Sequence, residues 1–148
     1  MTNYSIHKLQ PANPRLTEQL RAYAYDVIGA CQVVHRDMGA FLNEYMYQEA
    51  LAIALTEANI PFQREYYFSV EFHGQRIEHK HFVDFLVRND IFEECKAIEH
   101  IGSEQRQQLW NYMRLTGIQY GVLYNFAPVY AQCEKYHYNP QTFKMVAF

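Results

Sequence analysis

Positive charge is scarce in this chain. Lys and Arg together number 13 against 16 Asp and Glu, giving a formal net charge of −3. A large nonspecific nucleic-acid-binding surface is normally basic. The balance therefore argues against one, while leaving room for a small basic channel beside an acidic metal site. Cysteine is also scarce: Cys31, Cys95 and Cys133 are odd in number and stand in no metal-type pair. They exclude a disulfide scaffold and point to a reduced intracellular protein. No run approaches the ~18 apolar residues of a membrane span. Met1–Gln10 has no apolar core of the signal-peptide kind, so a cytoplasmic location without membrane attachment is expected. Internal repeats, low-complexity segments, a G-x-x-x-x-G-K-[ST] loop, a G-x-S-x-G elbow and a convincing Cys/His pair are all missing.

What is present describes a foldable domain. The chain has 148 residues, 49% hydrophobic and 20% charged, enough for one domain with a real core. Thirteen Tyr and ten Phe are many for this length. Core packing accounts for most of them, leaving a minority to stack on bases.

Residues 1–15 are polar, contain Pro11 and Pro14, and read as a loose N-terminal arm before a single domain over 16–148. Thr17 is a candidate helix cap. From Glu18 to about Asp37, Leu20, Tyr23, Ala24, Val27, Ile28, Cys31 and Val34 recur three and four apart, as on an amphipathic helix. Gly39 suits the left-handed position that ends it. A second helix is expected from about Leu42 to Ala58, closed by Asn59 and Pro61. Phe62–Phe72 reads as a strand, His73-Gly74 as a turn, and Phe82–Val87 and Ile91–Cys95 as further strands. Ser103 is the expected cap of a third helix, Glu104–Thr116, ended by Gly117. Gln119–Phe126 is a strand candidate inside the sheet, and Tyr136–Ala147 a weaker one interrupted by Asn139-Pro140. The order ααβββ(β)αβ(β) is that of an α+β domain with mixed sheet pairing.

The segment Phe82–Lys96, FVDFLVRNDIFEECK, carries the chemistry. Two apolar runs flank the polar turn Arg88-Asn89-Asp90, a hairpin signature. Asp84, Glu94 and Lys96 are embedded in it, and burying charge is costly unless it is paired or binds a metal. Glu94 and Lys96 are two apart and share a strand face, which Asp84 reaches from the neighbouring strand. Cys95 points to the opposite face, while its carbonyl remains free as an oxygen ligand. Two close carboxylates repel, and a hard divalent ion between them resolves the conflict. Such an ion acidifies a bound water and stabilises charge on a phosphate, with Lys96 positioning the water and offsetting the developing negative charge. The bland alternative is a salt bridge at a sheet edge.

This D…E-x-K spacing resembles the signature of the PD-(D/E)XK nuclease superfamily. Val34–Leu51, VHRDMGAFLNEYMYQEAL, resembles the motif that names its GxxExxY branch, stretched here as Gly39, Glu44 and Tyr47. Gln108–Gly117 and Gly121–Phe126 resemble two further segments of that family, so the likeness runs from about Ala22 to Phe126. The family's second glycine before the apolar pair is missing at Ala40, and the basic residue before its aspartate is replaced around Phe82-Val83.

The resemblance implies a restriction-endonuclease-like core, a central mixed sheet flanked by helices. It implies Asp84 and Glu94 as main metal ligands, Glu44 as the helical carboxylate that completes the site directly or through water, Lys96 as the catalytic lysine and Gln108 as the helical glutamine that orients substrate or water. Cys95 joins the metal set through its carbonyl. Tyr47 and Asn111 are candidate substrate contacts; packing for Tyr47 and a loop hydrogen bond for Asn111 are the alternatives. Glu44 could instead complement its helix dipole. His79 and His81 form a weak zinc candidate without a third ligand at the usual spacing. His35, at the end of the first helix, reads as structural. Arg76, Lys80, Arg88, Arg106 and Arg114 are candidates for a phosphate-contacting rim. The expected function is Mg²⁺- or Mn²⁺-dependent phosphodiester hydrolysis, in DNA ahead of RNA, with a homodimer formed through an exposed aromatic face near Tyr124–Tyr130 as one option. The alternative is a catalytically silent module that binds nucleic acid or a partner protein.

Overall fold

The structure, a computed structural model, describes residues 14–148, with side chains from Glu18 onward. The expected arm lies outside the described residues up to 13. Pro14 and Arg15 already belong to the first helix, α1 (Pro14–Met38), so Thr17 is inside a helix rather than its cap. Proline is well suited to a first helical turn, where its missing N–H costs no hydrogen bond. Gly39 ends α1 with φ 82°, donating its N–H to His35 O at 2.9 Å.

Helix α2 (Glu44–Glu57) starts two residues later than the apolar pattern suggests, because Asn43 caps it by accepting from Met46 N. It ends in a Schellman motif: Asn59 is left-handed, its N–H bonds Thr56 O, and Ile60 N–H reaches Leu55 O. Strand β1 (Phe62–Phe68) follows, then a small hairpin of β2 (Glu71–Phe72) and β3 (Gln75–Arg76) around Gly74. The single strand expected over 62–72 is thus two. Strands β4 (His81–Val87) and β5 (Ile91–Lys96) form the second hairpin, whose turn places Arg88 and Asn89 at positive φ.

Helix α3 (Ser103–Thr116) is preceded by Gly102, not capped by Ser103; Gly102 N–H donates to Gln105 Oε1 at 2.8 Å. Gly117, with φ 80°, closes it. Strand β6 (Tyr120–Asn125) lies parallel to β5, and β7 (Gln132–Asn139) and β8 (Lys144–Ala147) complete an antiparallel flank. The six-stranded sheet has order β1-β4-β5-β6-β7-β8, mixed as expected, in an α+β fold. The expected final strand is two strands, and the first begins earlier, at Gln132.

Helices α1 and α2 cover one face, burying Val27, Cys31, Tyr47 and Leu51 against Phe85, Ile91, Cys95 and Val122. Helix α3 covers the other, burying Leu109 and Met113 against Phe92 and Leu123. Gly121 permits the close approach of α3: a Cβ there would lie 2.6 Å from Met113 Sδ and 3.2 Å from both Leu109 methyls. Tyr124 and Phe126 belong to the first core, so the aromatic face expected near Tyr124–Tyr130 is exposed only at its far end, at Val129 and Tyr130. No helix among the described residues is long and apolar enough to cross a membrane.

Candidate active site

A strand normally alternates faces at every residue. In β4 it does not: Phe85 and Val87 face the α1–α2 core, whereas both Val83 and Leu86 face the α3 core. The inversion falls at Asp84. The paired strand inverts at the same level, since Phe62 packs on the first core and Tyr66 and Phe68 on the second, with Glu65 between them at φ 51°. Asp84 therefore sits where the β1–β4 pair turns over, next to the last ladder pair of the β4–β5 hairpin, Phe85 with Glu93.

The turnover brings two carboxylates together. Asp84 Oδ2 accepts from Cys95 N at 2.8 Å, and Glu94 Oε1 accepts from Asp84 N at 3.3 Å. Glu94 is 4% exposed and Asp84 half-buried. Burial, followed by the charge of Asp84, pushes the Glu94 carboxyl well up. Burial also raises Asp84, against the lowering pull of the Cys95 N–H. Glu44, at the first turn of α2, is raised by burial and then by Asp84, so it lies within electrostatic reach of the pair.

Lys96 supplies the cation. Its Nζ lies 3.9 Å from Glu94 Oε2 and donates to Gln108 Oε1 at 3.0 Å. Gln108 reaches it because α3 is seated on Gly121. Asp84, Glu94, Lys96 and Gln108 thus meet at one spot, with Glu44 facing them from α2.

Two candidate substrate contacts have hydrogen-bond partners within the protein. Tyr47 is fully buried, stacked on Phe126 at 4.8 Å, with its hydroxyl donating to Gly39 O at 2.7 Å and accepting from Leu42 N. It pins the turn between α1 and α2 instead of facing the carboxylates. Asn111 Oδ1 accepts from Gln107 at 2.8 Å and from Arg114, neighbours on its own helix. Cys95 turns its thiol away from the site, as expected, towards Glu93. The candidate basic rim is dispersed: Arg88 lies over Tyr23 beside Asp26, Arg106 binds Glu134 in a bidentate pair, and Arg76 bonds Tyr67. His35 is structural as read, with Nε2 2.8 Å from Pro128 O.

Two residues near the site escape sequence reasoning, and a third, His81, is read from sequence only as half of a zinc candidate. Gln48, one turn after Glu44, lies close enough to the Asp84 carboxyl to favour its charged form. Tyr112 bonds Gln108 and feels the Glu94 charge. His81 packs against Tyr112 and Phe68, with its pKa lowered by burial and then by His79. The i+4 spacing of Gln48 from Glu44, and of Tyr112 from Gln108, was the available signal.

Among the described residues, no group of three His, Cys, Asp or Glu side chains is arranged to hold a metal by itself. The side chains of Glu44, Asp84 and Glu94 therefore do not form a closed cage. The donor set still suits a hard ion. Mg²⁺ takes oxygen ligands, needs only one or two carboxylates and keeps several waters. Two adjoining carboxyls, one buried and one half-buried, beside Lys96 are what such an ion would neutralise.

Comparison with curated proteins and with solved structures gave no match. A family model, described as the PD-(D/E)XK nuclease superfamily, matches residues 21–136. That span includes α2, the β4–β5 hairpin, α3 and β6, the elements that carry every side chain of the cluster. The chain belongs to the PD-(D/E)XK nuclease superfamily.

Proposed function

We propose that this protein is a divalent-metal-dependent nuclease of the GxxExxY branch, hydrolysing phosphodiester bonds in DNA with Mg²⁺ or Mn²⁺. The observation that carries the reading is the meeting of Asp84 and Glu94 across the β4–β5 hairpin beside Lys96 and Gln108. Asp84 and Glu94 would hold the ion, with Glu44 reaching it directly or through water. Such an ion, when bound, supplies a more acidic water and charge neutralisation at the phosphate.

The protein's own groups do the rest. The Cys95 N–H holds the Asp84 carboxylate in place, with the Gln48 side chain near it. Gln108 fixes the Lys96 ammonium, which orients the attacking water or balances charge building on the phosphate oxygens. Gly39, Glu44 and Tyr47 support assignment to the GxxExxY branch by their order in the sequence, Tyr47 by holding the turn that presents Glu44.

Calorimetric titration with Mn²⁺ and Mg²⁺ tests the reading without a guess at substrate. Wild type is expected to take up one or more ions, and Asp84→Asn to weaken uptake by at least about tenfold, the loss of about 1.4 kcal/mol. Absence of uptake by wild type at millimolar metal, with no metal-stimulated cleavage of DNA, would remove the proposal.

A further inference from the structure

A groove of about 490 Å³ is bordered by Phe41, Leu42, Ala97, Ile98, Pro128 and Val129. Its position follows from the topology. It opens at the carboxyl ends of the parallel strands β5 and β6, the end of an α/β sheet at which ligands bind. Its walls continue the segments that bear the site: Phe41 and Leu42 precede Glu44, and Ala97 follows Lys96.

Phe41 gives the groove its meaning. It is 78% exposed, yet holds φ 65°, a left-handed conformation that a bulky side chain adopts only at a cost in free energy. Its N–H is fixed to Ala127 O at 3.0 Å. Glycine would be relaxed at this position, and the ring belongs to neither core cluster. The fold thus spends stability to hold an aromatic ring in solvent. Tyr130, 88% exposed, follows the lining residue Val129 in the segment between β6 and β7 that carries Ala127. The only ionisable lining residue is Glu99, so the groove offers stacking and apolar contact but no cation for a phosphate.

Resting on the proposed nuclease function, we propose that this groove takes an unpaired nucleobase next to the scissile phosphate, stacked on Phe41 with Tyr130 at the outer rim. In a duplex the base faces are covered by their neighbours. A base is free to enter only from a single strand or from an unpaired end, flap or loop. The substrate class is therefore single-stranded nucleic acid or a junction bearing an unpaired strand. Stacking on aromatic side chains suits such a substrate because every base has a π-face.

The test uses an oligonucleotide carrying 2-aminopurine, presented single-stranded and as a blunt duplex, with Ca²⁺ in place of the activating ion. Wild type is expected to bind the single strand at least about tenfold more tightly, with a change in 2-aminopurine fluorescence on binding. Phe41→Gly is expected to hold or raise Tm while weakening single-strand binding about tenfold and abolishing that change; Tyr130→Ala should give a smaller loss. Equal affinity for strand and duplex overturns the proposal. So does a Phe41→Gly variant that binds as wild type, that loses Tm without losing binding, or that differs only in forming monomers where wild type dimerises. Metal-dependent cleavage of duplex, unaffected by both variants, would overturn this inference and leave the nuclease reading standing. Failure of wild type to bind or cut any nucleic acid, with no metal uptake, would overturn both.

Discussion

Glu93 sits directly behind the site, on the opposite face of β5 from Glu94, and is completely buried. Its carboxyl accepts from the Cys95 thiol at 3.2 Å and from Cys31 at 3.9 Å, weak donors both. Burial, and then the charge of Asp84, push it well above the usual carboxylate range. The folded state thus keeps this proton to higher pH than the unfolded chain does. A carboxyl raised in this way stabilises fully below its unfolded pKa of about 4.3, and the contribution is lost as pH rises through the folded value. Glu93→Gln removes the ionisable group while keeping its shape. The variant is expected to melt higher than wild type at pH 8, by about 4 °C for each kcal/mol of charge burial relieved, and to show a flatter dependence of Tm on pH. A lower Tm at pH 8 would contradict this account. The sequence marks Glu93 poorly. Alternation puts it on the buried face, but its partner Cys31 is 62 positions away, and nothing local joins them. Asp84, Glu94 and Lys96 are readable for the converse reason: one hairpin contains all three. Gln48 is ambiguous because both i+3 and i+4 from Glu44 share a helix face, and only packing decides that Tyr47 turns inward.

Helix α3 carries no carboxylate of the cluster, yet it positions Gln108 on Lys96. Its seat is Gly121, and it is tied to β7 by the Arg106–Glu134 pair at 2.7 and 2.8 Å. Gly121→Ala would force Met113 and Leu109 outward and lift the helix. The expected cost is about 1–3 kcal/mol, the usual range for overpacking, measured by denaturant unfolding, with a fall in metal-dependent activity as Gln108 leaves Lys96. An unchanged midpoint would show that Met113 yields without moving the helix. Elements built on local signals were readable: α1 from its apolar stripe, the end of α2 from Asn59 and Pro61, the turn at Arg88-Asn89-Asp90. The start of β7 was not, since Gln132–Lys135 is largely polar, half-exposed or exposed, and precedes the stretch that pairs with β8. Nor was the inversion at Asp84 and Glu65, because a period of two predicts no turnover and Glu65 is not a residue that announces positive φ.

Across the whole molecule, charge changes on folding. The formal net charge of −3 and the sequence pI of about 6.1 treat every carboxyl as it would be in water. Glu93 and Glu94 are raised well above that state, and Asp84 and Glu44 are raised with them. Glu134, lowered by its bond from Arg106, is a countercase at a distance from the cluster. The native protein is therefore expected to release protons from these carboxyls at higher pH than its composition implies. Isoelectric focusing is expected to place the native chain at a higher pH than the same chain in urea; coincident bands would show that the cluster is ionised in the fold. An ion that enters between these carboxyls must expel what neutralised them before. Metal uptake by this protein should accordingly acidify a weakly buffered solution, and its apparent heat should follow the ionisation enthalpy of whichever buffer receives the protons.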